Sequence, residues 1–65
     1  MATIRTGLLI IRAWAEPGSS SPLRVQIRIT TDVSLGVERS ETIAEADAVV
    51  EVVRAWLQEM ATTAR

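Results

Sequence analysis

Leu23-Arg24-Val25-Gln26-Ile27-Arg28-Ile29-Thr30-Thr31 alternates apolar and polar residues through Thr30, which is the two-residue period of a strand with one face buried and the other in water. Leu23, Val25, Ile27 and Ile29 form its apolar face. The preceding Glu16-Pro17-Gly18-Ser19-Ser20-Ser21-Pro22 reads as a loop, because two prolines cannot continue a ladder and Gly and Ser supply turn conformations. Before that loop, residues 7–15 (Gly-Leu-Leu-Ile-Ile-Arg-Ala-Trp-Ala) read as a partner strand of short aliphatic and β-branched residues.

Joined as an antiparallel hairpin, the two strands have one register that keeps the apolar face of the second strand together, since a one-residue slip would turn it to water. That register sets Ala15 opposite Leu23, Ala13 opposite Val25, Ile11 opposite Ile27 and Leu9 opposite Ile29. The other face then sets Trp14 opposite Arg24, Arg12 opposite Gln26, Ile10 opposite Arg28 and Leu8 opposite Thr30. A face that mixes Leu8, Ile10 and Trp14 with three arginines is unlike a purely solvated one.

Downstream, Asp32-Val33-Ser34-Leu35-Gly36 is a turn in which Gly36 can take positive φ. Residues 37–43 admit two readings: a third strand, favoured by Val, Thr and Ile behind a hairpin-like turn, or a helix start through the capping box Thr42-Ile43-Ala44-Glu45. The strand is preferred, because Ser40 and Thr42 are mediocre helix residues. From Ala46 the apolar positions Ala46, Val49, Val50, Val53, Trp56, Leu57 and Met60 make one face of an amphipathic helix, with Val52 and Ala55 off the stripe. Glu51 and Arg54 are placed for an i,i+3 ion pair. The indole N–H of Trp56, in that stripe, requires an acceptor. The helix is expected to fray near Thr62 and Thr63.

The fold class expected is therefore α+β, β-β-(β)-α: a small antiparallel sheet of two or three strands followed by one C-terminal amphipathic helix, in a single domain over 1–65. The sheet face of Leu9, Ile11, Ala13, Val25, Ile27 and Ile29 is expected to lie on the stripe of Val49, Val50, Val53, Trp56, Leu57 and Met60, because each element must cover the other.

Composition removes whole classes of function. The 65 residues contain no Cys and no His, so disulfides, soft-ligand metal sites and His-dependent catalytic arrangements are excluded. Ser19, Ser20 and Ser21 have no histidine or lysine to act as base, and Gly7, Gly18 and Gly36 make no phosphate-binding pattern. Asp47 and Glu51 share a helix face, but an oxygen-ligand cation site recruits more donors than two. No enzyme activity, cofactor or metal is expected. The longest apolar run, residues 8–11, is far short of the roughly 20 residues of a membrane span, and the expected location is cytoplasmic. All seven basic residues are arginines; with abundant Ala and Val, this usage suggests a GC-rich coding genome. A short sheet-then-helix chain whose helix carries Arg54-Ala55-Trp56-Leu57 resembles many small bacterial proteins, which implies a bacterial origin but no site residue.

A domain of about 60 residues buries only roughly 60% of its unfolded surface. Without disulfides or metal, oligomerisation is the remaining route to extra stability, so a homodimer is expected, paired either face to face or edge to edge. The functional candidates are Leu8, Ile10, Arg12, Trp14, Arg24 and Arg28 on the outer sheet face. Trp and Arg around an aliphatic centre are the composition of a protein interface, which makes the chain a small non-enzymatic protein–protein interaction module, accessory or regulatory, that binds itself and another protein. Single-stranded nucleic-acid binding is the competing class, with Trp14 stacking a base and Arg12, Arg24 and Arg28 taking phosphates. The net charge of -1 supplies no field to steer an anion in. The structural alternative is a Trp14–Arg24 cross-strand cation–π pair that only covers the sheet.

Overall fold

The computed structural model describes residues 4–36 and 39–63. They fold as β1 (Leu8–Ala15), β2 (Leu23–Thr30), a 3-10 turn (Val33–Leu35), β3 (Arg39–Ile43) and α1 (Ala46–Thr63). The sheet is antiparallel in the order β1-β2-β3, an α+β fold with one C-terminal helix.

The hairpin has the register that the apolar alternation requires, from Leu8 opposite Thr30 to Ala15 opposite Leu23. A backbone hydrogen bond from Glu16 N–H to the Pro22 carbonyl, 2.8 Å, closes the Pro-containing loop. The third strand runs over Arg39–Ile43, so the capping-box alternative gives way to a strand; residues 37 and 38 lie outside the described residues. Its pairing sets Ile43, Glu41 and Arg39 opposite Val25, Ile27 and Ile29. In the turn before it, Asp32 accepts from the Ser34 N–H and Gly36 takes φ 67°, a left-handed conformation that only Gly adopts without steric cost.

Val25, Ile27 and Ile29 are the buried centre, with Leu9, Leu23, Ile43, Val49, Val52 and Trp56 packed around them. Burying each of the three contributes on the order of 1.5–3 kcal/mol. The helix starts beyond Ile43 at the end of β3 and runs back over β3 and β2, its Val52 beside Arg39 and Glu41 of β3 and its Val49, Val52 and Trp56 on the β2 core. At its far end the Trp56 indole donates to the Thr30 carbonyl at 3.2 Å. There Met60 closes on Gly7, where a Cβ would sit 2.7 Å from the Met60 sulfur and 2.9 Å from the Thr30 carbonyl. That close approach explains why a residue without a side chain precedes β1.

Two parts of the expected packing are corrected. Ile11 remains 49% exposed and Ala13 and Ala15 are exposed, so the inner face of β1 is not covered beyond Leu9. On the helix, Val50 and Leu57 are each 53% exposed, and Val52, read as lying off the stripe, packs on the core instead. The cause is width. Strands lie about 4.8 Å apart and a helix with its side chains is about 10–12 Å across, so one helix covers about two strands of three. The two-residue connection at 44–45 ties its start to β3, and the uncovered strand is β1.

Candidate interaction surface

The outer sheet face carries all six candidate residues, placed there by the two-residue period of β1 and β2. Leu8, Ile10 and Trp14 are large exposed apolar side chains on it, and Arg28 is exposed opposite Ile10. The face divides into two zones. Leu8 and Ile10 form an aliphatic zone beside the Thr30 end of β2. Arg12, Trp14 and Arg24 form a polar and aromatic zone at the hairpin end.

The second zone is held by Glu16, a residue outside the six. Its carboxylate lies 3.6 Å from the Arg24 guanidinium and accepts from the Trp14 indole at 3.4 Å. Arg24 also donates to the Ser21 and Leu23 carbonyls at 2.6 and 2.8 Å, which fastens it to the end of the loop. The cation over the Trp14 ring is Arg12, 5.2 Å from the centroid. The expected Trp14–Arg24 cation–π pair is thus replaced by an Arg12–Trp14 contact along one strand, with Glu16 bridging Trp14 to Arg24. Sequence parity could have suggested Glu16, two residues beyond Trp14, as a member of this group.

A second apolar surface lies on the other side of the sheet. Arg39, Glu41, Glu51, Val52 and Ala55 line a hollow on the β3 side of α1, so by the helical period the opposite flank, with Val50, Val53 and Leu57, is turned toward β1. That flank and the uncovered Ile11 and Ala13 bound an open apolar trough between α1 and β1. Among the described residues, no group of three or more His, Cys, Asp or Glu side chains could hold a metal ion, and no helix is long and apolar enough to cross a membrane. Glu51 and Arg54 form the i,i+3 pair at 3.7 Å, both well exposed.

Compared with known proteins, the chain matches no family model, no curated protein and no solved structure.

Proposed function

We propose that the chain is a non-enzymatic protein–protein interaction module, acting in the cytoplasm as a homodimeric accessory or regulatory protein that docks another protein on its outer sheet face. The observation that carries this reading is the exposure of Leu8, Ile10 and Trp14 on one continuous sheet face, surrounded by arginine. Interface centres are built from such aromatic and aliphatic anchors with Arg around them. The Arg12–Trp14 contact and the Glu16 bridge support it further, because they hold the indole in place before binding and so reduce the ordering cost of docking.

The same contacts weaken the competing reading. Stacking of a base on Trp14 has to displace Arg12 from the ring, and phosphate binding by Arg24 has to compete with Glu16. Trp14→Ala and Arg28→Glu are expected to abolish co-purification of the bound protein from the native cell while circular dichroism and melting temperature stay close to wild type. Unchanged co-purification by both variants removes this face from the function, and turnover in a broad substrate screen removes the non-enzymatic reading.

A further inference from the structure

The two edges of the sheet are built differently. β3 is five residues long and turns Arg39 and Glu41 toward the helix side of the sheet, the inward-pointing charges that keep an edge from recruiting another strand. β1 is eight residues long, has a single charged residue, Arg12, and carries neither proline nor an inward charge. Its unpaired edge has exposed apolar residues on both faces, Leu8, Ile10 and Trp14 outside and Ile11 inside. An undefended edge of this length pairs with another strand.

We propose that the occupant is β1 of a second copy, paired antiparallel about a two-fold axis at Ile11 to make one six-stranded sheet. This deepens the homodimer of the proposed function and rests on it. Geometry restricts the pairing strongly. A two-fold axis relating adjacent antiparallel strands stands perpendicular to the sheet, so both helices fall on the same side and inward residues must meet inward residues. Only registers centred on a residue satisfy this. Centring on Ile11 pairs residues 8–14 of each copy, with Leu9 opposite Ala13, Ile10 opposite Arg12 and Leu8 opposite Trp14. Centring on Arg12 sets two like charges directly opposite, which is destabilising. Centring on Ile10 shortens the pairing of β1 with its mate to residues 8–12.

This arrangement also joins the two troughs into one. Helices seated over β2 and β3 lie about four strand spacings apart, about 19 Å, more than a helix diameter of about 10–12 Å, so an apolar channel runs between them. The Val50 and Leu57 flanks then face each other across a floor made by Ile11 from both copies. There is surface to spare. The chain exposes 5027 Å², about 900 Å² more than the roughly 4,100 Å² of a compact monomer of 7.1 kDa, and a standard interface takes ~800 Å² from each partner.

The absence of native cysteine makes the register directly readable. Single Cys replacements at Ile10, Ile11, Arg12 and Thr42 are oxidised in the full chain, and the wild-type mass is measured by light scattering at micromolar concentration. The expected result is a mass of twice 7.1 kDa, with Ile11→Cys cross-linking at least ten-fold faster than the others and Thr42→Cys, about 24 Å from its mate across five strand spacings, not at all. Should Ile11→Cys fail to fold, mixed Leu8→Cys and Trp14→Cys chains report the same register by joining each other in preference to themselves. A monomeric mass overturns both this proposal and the homodimer. A dimer in which Thr42→Cys cross-links as readily as Ile11→Cys overturns the edge pairing and leaves the homodimer standing, and fastest cross-linking at Ile10 or Arg12 overturns the register.

Discussion

At Asp32 one side chain organises the turn between β2 and β3. Its Oδ1 accepts from the Ser34 hydroxyl at 2.6 Å and from the Ser34 N–H at 3.0 Å. The Ser34 hydroxyl is the main cause of a pKa below the ordinary aspartate value; desolvation, next in size, opposes it, and the Ser34 N–H and the charge of Arg5 add smaller lowering effects. A carboxyl whose pKa is lower folded than unfolded adds stability above its unfolded pKa, and that stability is lost as pH falls through the folded value. Asp32→Asn keeps an acceptor oxygen without the charge. Wild type is therefore expected to melt above Asp32→Asn at neutral pH, with the gap closing below about pH 4. A gap that is the same at pH 7 and pH 2 contradicts the assignment. The turn itself was legible in Asp32 and Gly36, whereas the partner of Trp14 was not. Period two narrows the choice to residues on one face, but whether Arg12 or Arg24 covers the ring depends on rotamers, and Glu16 holds Arg24 elsewhere.

Among the elements, β2 carries the fold. It is the central strand, paired on both sides, and the three residues buried among those described, Val25, Ile27 and Ile29, belong to it. Ile27, with no exposed surface, is the middle of a cluster that Leu9 of β1, Ile43 of β3 and Val49, Val52 and Trp56 of α1 pack against. Ile27→Ala is expected to cost about 2–5 kcal/mol, enough to take most of the stability of a domain this small, and urea unfolding is the measurement. A loss below about 1 kcal/mol places the core elsewhere. The register of β2 was legible because its alternation is unbroken over eight residues and a slip has a definite penalty. The seat of α1 was less so. Val49 and Val50 are both apolar, as are Val52 and Val53, so the hydrophobic stripe is wide and admits more than one rotation about the helix axis. The short connection from β3 selects the rotation that brings Val49, Val52 and Trp56 onto the core and leaves Val50 and Leu57 outside.

The whole molecule is long and thin, 54 × 20 × 11 Å with a radius of gyration of 14.3 Å, against about 11 Å for a compact chain of 65 residues. Such a shape presents its surfaces separately: a mixed apolar and arginine face outside the sheet, an apolar trough inside, and an acidic balance spread over the rest. Summed charge, rather than any local contact, decides whether the outer face attracts a polyanion. Eight acidic residues against seven arginines leave a net charge of -1, and one acid, Glu16, sits inside the patch itself. With Trp56→Phe leaving Trp14 as the sole indole, titration with a mixed-sequence single-stranded oligonucleotide is expected to give no saturable quenching at physiological salt. A site that does use Arg12, Arg24 and Arg28 on phosphates has a distinct signature, a slope of log affinity against log salt near roughly -2, from about -0.7 for each phosphate neutralised. A docking face governed by Leu8, Ile10 and Trp14 has almost none, because apolar contact releases no counterions. Submicromolar quenching with the steep slope would reverse the order of the two readings and make the outer face a nucleic-acid surface.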